Sequence, residues 1–176
     1  MAGLAVLLSG SGSNLAAIME NELPVNFVMS DNPKAYGIER AEKKKIQTYV
    51  QPSLKGLELH VTKLCSSSDI ELIVLAGFMR LLSPGFVEAW KGKIINIHPA
   101  LLPSFPGAHA IEQAFEHGVK YTGVTVHYVD EGMDTGQIIA QEPVKIAKND
   151  TIQNLYGKIH KVEHKLYPKV IKDLLK

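Results

Sequence analysis

Through its first half the chain alternates short apolar runs with segments of helical period, and this alternation restricts the fold more than any other feature. The runs "LAVLLS" (4–9), "VNFVMS" (25–30), "QTYV" (47–50), "ELIVLAGF" (71–78) and "KIINIH" (93–98) read as strands. Runs so short and so continuously apolar suit strands buried on both faces, as in parallel sheets covered by helices. Between them the pattern predicts a helix over 13–21 capped at Ser13 or Asn14, a charged helix from Tyr36 to Lys45, and a third across 55–66. The second half changes character. "TGVTVHYVD" (122–130) and "GQIIAQEPVKI" (136–146) predict two further strands at the sheet edge, one of them antiparallel to the rest. A closing amphipathic helix carries Ile152, Leu155, Ile159, Val162, Leu166 and Val170 on one face. Pro168 is expected to kink or restart it. With no repeat, linker or low-complexity segment, residues 1–176 read as one domain.

The run "IINIHPALLP" (94–103) closes the last of the apolar strands. In a strand, residues two apart share a face, so Asn96 and His98 present an amide and an imidazole side by side while Ile95 and Ile97 face the other way. Pro99, Pro103 and Pro106 end the ladder and stiffen the exit. Two polar groups held this way fit a catalytic pair, and they also fit an ordinary strand end with a polar turn.

Composition excludes several functions. A net charge of +1 gives no general attraction to nucleic acid or to a membrane surface. The single cysteine, Cys65, cannot form an internal disulfide and reads as a buried or incidental thiol. No apolar run approaches a membrane span, and Leu4–Leu8 is too short for a signal segment, so a cytoplasmic location is expected.

Other clusters admit two readings each. "SGSGSNL" (9–15) follows the first strand and opens the first helix, where backbone N–H groups and the helix dipole suit a phosphate. It also fits a plain tight turn. A dinucleotide site would want glycine where Leu15 stands, although Asp31 falls near the expected acidic position. His160-Lys161-Val162-Glu163-His164 matches H-x-x-E-H, yet Asp173 is the only acid following it, so a solvated helix face with one functional acid is the preferred reading over zinc. Asp134, in "EGMDTG", is either a turn residue or a partner that orients His98. Arg80, in "AGFMRLLSP", stands either at a ligand-binding strand end or in solvent.

Taken together and in order, "SGSGSNL", "AGFMRLLSP", "NIHPALLPSFPG", "TGVTVHYVDEGMDTG" and "VEH" closely resemble the formyltransferase superfamily, in its glycinamide ribonucleotide branch. The resemblance implies a single-domain α/β fold: a Rossmann-like, mainly parallel sheet flanked by helices with an antiparallel edge. It implies transfer of a formyl group from 10-formyltetrahydrofolate to the amine of 5-phosphoribosylglycinamide, without a metal. By the same resemblance Asn96, His98 and Asp134 are catalytic, and Gly12, Ser13, Asn14, Leu15 and Glu163 hold the ribonucleotide. Met79, Arg80, Leu81, Leu82, Val129, Asp130 and Glu131, with Asn96 and Asp134, would bind the folate. Relatives often place an arginine near the start of the third helix. The nearest match here, Lys55, keeps the charge without the bidentate fork. Small-molecule substrates, a monomer or homodimer, and no nucleic-acid or membrane partner are expected. A formyltetrahydrofolate hydrolase and a phospho-metabolite binding module are the alternatives. The first usually carries a regulatory domain ahead of the first strand, and the second leaves Asn96 and His98 unexplained.

Overall fold

The computed structural model describes residues 3–176. A seven-stranded sheet with strand order β3-β2-β1-β4-β5-β6-β7 forms its centre. Strands β1 (Gly3–Leu8), β2 (Val25–Ser30), β3 (Gln47–Val50), β4 (Ile70–Leu75) and β5 (Ile94–His98) are parallel. β6 (Tyr121–Tyr128) pairs antiparallel with β5, and β7 (Ile138–Lys145) antiparallel with β6. β6 is therefore the one strand that opposes the rest, as the sequence predicts.

Every residue of β1 is buried, because both faces of the sheet are covered. Leu4, Val6 and Leu8 join the core beneath α1 (Ser13–Glu20), α2 (Tyr36–Lys43) and the closing helix, while Ala5 and Leu7 face α3 (Leu54–Ser66) and α4 (Pro84–Ala89). The same alternation sends Ile95 and Ile97 to the first core and Ile94 to the second, so Asn96 and His98 share the second face. Cys65 is buried in that second core, and burial pushes its thiol up to about 11, which suits packing rather than nucleophilic chemistry.

Several boundaries depart from the sequence pattern for local reasons. β4 stops at Leu75 instead of running to Phe78, because Gly77 turns the chain at φ 75°. α1 is preceded by Gly12 at φ 69° and has no side-chain cap, so neither Ser13 nor Asn14 caps it. α2 ends at Lys43, two residues early, and Lys45 is left-handed at φ 58°. The closing helix, α6 (Ile152–Leu174), runs through the buried Pro168 without restarting. Two short helices escape the periodicity: α4 and α5 (Ala110–Glu116). The start of α4 was nonetheless written in Ser83-Pro84: the Ser83 hydroxyl accepts from the Phe86 N–H, and Pro84 sits at the first turn. No helix among the described residues is long and apolar enough to cross a membrane.

Candidate functional site

The order in which the parallel strands are laid down reverses between β1 and β4, and ligands of open α/β sheets bind outside the carboxyl ends of the strands at such a point. A cleft of about 670 Å³ opens there. Ser13 and Asn14 of α1, the loop after β4, the end of β5, the β6–β7 loop and α6 all contribute to its walls.

On one wall Asn96, His98 and Asp134 converge. The His98 ring is almost fully buried, and its Nε2 donates to the Phe105 carbonyl at 2.8 Å. Its Nδ1 lies 3.3 Å from Asp134 Oδ2, an ion-pair distance. Both ring nitrogens thus face acceptor oxygens. Asp134 Oδ2 also accepts the Gly107 N–H at 2.7 Å. His127 holds the Asp134 carboxyl below the usual carboxylate range, with the Gly107 N–H and the charge of His98 acting in the same direction and burial opposing them.

His127 escaped the sequence reading. It stands directly across the ladder from Asn96, so its proximity depends on the β5–β6 register. Its Nδ1 donates to the Tyr128 carbonyl at 2.8 Å. Nε2 then lies 3.4 Å from Asn96 Nδ2 and 3.6 Å from Asp134 Oδ1. Neutral, the ring accepts from the amide; charged, it donates to the carboxylate. The available signal was a polar residue two positions after Thr125, and so on the same strand face, in the mostly apolar stretch that follows Thr122.

Beneath this wall the buried Tyr167 of α6 donates its hydroxyl to the carbonyls of Leu75 at 2.8 Å and Ile95 at 3.1 Å. It thereby props the ends of β4 and β5 where Asn96 emerges.

At the other end of the cleft Glu163 is 6% exposed and faces Asn14. Burial pushes its carboxyl up to about 7, against the lowering effect of the Asn14 hydrogen bond. Asn14 is itself buried, and its Oδ1 has no hydrogen-bond partner among the described residues. Because α1 lacks a side-chain cap, its first-turn N–H groups remain open beside these residues.

The remaining candidates divide. Met79, Leu81 and Arg80 line the cleft, with Met79 79% exposed. Arg80 is neither free in solvent nor aimed inward: Nη1 donates to the Pro52 carbonyl at 3.2 Å and lies 3.9 Å from Asp31. Asp31, the acid a dinucleotide site would need, faces Arg80 through Oδ2, and its buried Oδ1 has no hydrogen-bond partner among the described residues. Leu82 and Val129 line the cleft while packing on the second core, and Leu15 is wholly buried in the first, so only its backbone could serve a ligand. Gly12, Asp130, Glu131 and Lys55 do not line the cleft; the last three are exposed, Lys55 on α3. His160 lines it and stacks on His164 with ring centroids 6.1 Å apart. Among the described residues no group of three or more His, Cys, Asp or Glu side chains converges as metal ligands would.

An uncapped helix N-terminus stands at one end of this cleft and an Asn–His–Asp wall at the other, on a doubly wound sheet. The chain belongs to the formyl transferase family, whose model matches residues 2–171. It is 46% identical to a phosphoribosylglycinamide formyltransferase of Bacillus subtilis, over 99% of this chain and 95% of that protein. The crystal structure of the phosphoribosylglycinamide formyltransferase of Streptococcus pneumoniae superposes with a TM-score of 0.94 at 43% identity, covering 100% of both chains. The human trifunctional purine biosynthetic protein adenosine-3 is 40% identical over 95% of this chain, which spans only 18% of that protein.

Proposed function

We propose that this chain transfers the formyl group of 10-formyltetrahydrofolate to the amine of 5-phosphoribosylglycinamide. The observation that carries this reading is the convergence of Asn96, His98 and Asp134 at one end of a cleft whose other end is the open turn of α1. The ribonucleotide phosphate would rest on the N–H groups of Ser13 and Asn14, with Glu163 beside the glycinamide. The folate would lie along Met79–Leu82 and the 129–134 loop, of which Val129, Gly132, Met133 and Asp134 line the cleft. Lys55 is too far around α3 to line this path and is given no part.

In the reaction the free amine attacks the formyl carbon, a C–N bond forms, and the carbonyl oxygen becomes an oxyanion. Asn96 Nδ2 carries two hydrogens, of which one faces His127 and the other can donate to that oxygen. Such a donor contributes roughly 10²–10³ in rate. The His98 ring is anchored through Nε2, and its Nδ1–H, 3.3 Å from Asp134 Oδ2, would be shared between that carboxylate and the oxyanion. Collapse then breaks the bond from the formyl carbon to N10. A proton passes to N10 as the former ammonium loses one, yielding tetrahydrofolate and the formylated ribonucleotide. General acid–base assistance of this kind is worth roughly 10²–10⁴.

The deciding experiment mixes the protein with 10-formyltetrahydrofolate, with and without the ribonucleotide, and measures tetrahydrofolate and formate. Tetrahydrofolate appearing only with the ribonucleotide, and without formate, supports transfer. Formate released in the absence of acceptor would make the protein a hydrolase, and no turnover at all would leave a binding module.

A further inference from the structure

Loop 130–135 is exposed over most of its length, yet it presents Asp134 in the left-handed region, at φ 56°, with its carboxylate between two histidines. Burial cannot hold such a loop in place. A clasp across it can: Asp130 Oδ1 accepts from the Gly132 N–H at 3.0 Å and from the Thr135 hydroxyl at 2.7 Å. A side chain at position 132 would collide with the Thr135 hydroxyl, so Gly132 leaves the room the clasp needs. The two ends of the clasp enclose Glu131–Asp134, and Thr135 is bonded directly to the residue whose backbone is strained. Thr135 is outside the cleft lining and touches none of the reacting groups.

We propose that Thr135 is a positioning residue: its hydroxyl, held by Asp130 across the loop, keeps the Asp134 carboxylate on His98 and His127. For a residue with a Cβ, φ 56° is costly, and without a closed loop the backbone relaxes toward the right-handed or extended regions. That relaxation would swing the carboxylate off the Gly107 N–H as well as off the histidines. The inference rests on the catalytic reading of Asp134 only for its effect on rate; the geometric claim stands apart from it.

The test compares Thr135→Val, which keeps the shape and removes the hydroxyl, with Thr135→Ser, which keeps the hydroxyl. NMR titration of the Asp134 side-chain carboxyl is recorded for each beside kcat and both KM values. In Thr135→Val the Asp134 titration is expected to move up toward the ordinary carboxylate range. Its kcat is expected to fall roughly three- to tenfold, the worth of one net hydrogen bond, with ribonucleotide KM unchanged. Thr135→Ser should restore both. If the Val variant folds poorly, Thr135→Ala and Asp130→Ala open the same clasp from either side and carry the same expectation. An Asp134 titration unmoved when the clasp is opened overturns the proposal. A titration that moves while kcat stays normal leaves Thr135 as the positioner of Asp134 and removes Asp134 from catalysis.

Discussion

At the residue scale the site separates into groups meant to be charged and one whose charge is costly. Asp134 has its carboxylate form favoured by two histidines and a backbone N–H. Replacing it by Asn keeps the shape and removes the charge, so kcat is expected to fall by roughly 10² while ribonucleotide KM changes less than about twofold. Asn96→Ala should behave alike through the lost oxyanion donor, and steady-state kinetics with each substrate varied in turn checks both. Glu163 is the opposite case. Its carboxyl is raised by burial to about 7 from an ordinary value of 4.5. Between those values the unfolded chain ionises first and the folded chain retains its proton, so stability falls as pH rises through that window. Above it the full penalty, on the order of 3 kcal/mol, persists. Glu163→Gln carries no such penalty. Its stability relative to wild type should therefore climb from pH 4.5 to 7 and level off beyond, by denaturant unfolding at several pH values, even as ribonucleotide KM rises. A difference that does not vary with pH would mean that Glu163 titrates as a solvated acid.

At the scale of elements, legibility followed locality. The β-strands through β5 were readable because continuous apolar runs in sequence are what two-sided burial requires. Asn96 and His98 were readable as a pair because the two-residue strand period is local. Asp134 was not placeable beside His98, because that contact is made by a loop whose path depends on the β6–β7 hairpin. His127 needed a register, and the missed α4 and α5 are too short to show a period. The cap of α1 was misread because Asn14 turns to Glu163 and the position before the helix is Gly12 in the left-handed conformation, which has no side chain to cap with. Gly12 also lies against α2, where a Cβ would stand 2.5 Å from the Gly37 Cα. Gly12→Val should thus shift α1 against α2. Ribonucleotide KM is expected to rise by roughly tenfold or more with folate KM nearly unchanged, since a phosphate held by a few backbone donors loses most of them together. Equal rises in both constants would take the loop out of phosphate binding.

At the scale of the whole molecule, the cleft joins parts that the sheet otherwise separates. The end proposed for the ribonucleotide rests on α1 and α6, which pack on one core; the end proposed for the folate includes Leu82 and Val129, which pack on the other. A ligand at either end binds only the folded arrangement, so each should stabilise the protein against heat through mass action. At a hundred times its dissociation constant each contributes about 2.7 kcal/mol at 25 °C. Because the two ends use different residues, the two increments should be nearly additive when a folate analogue that cannot transfer its formyl group is added with the ribonucleotide. The Gly12→Val variant separates the ends. Measured at the wild-type ligand concentrations, it should lose most of the ribonucleotide increment and keep the folate increment whole. Inorganic phosphate should reproduce a fraction of the ribonucleotide effect in wild type and none of it in the variant. Should the ribonucleotide stabilise wild type and variant equally, the phosphate would have to rest elsewhere than on α1. The two-ended cleft would then give way to a single site on the Asn96 wall.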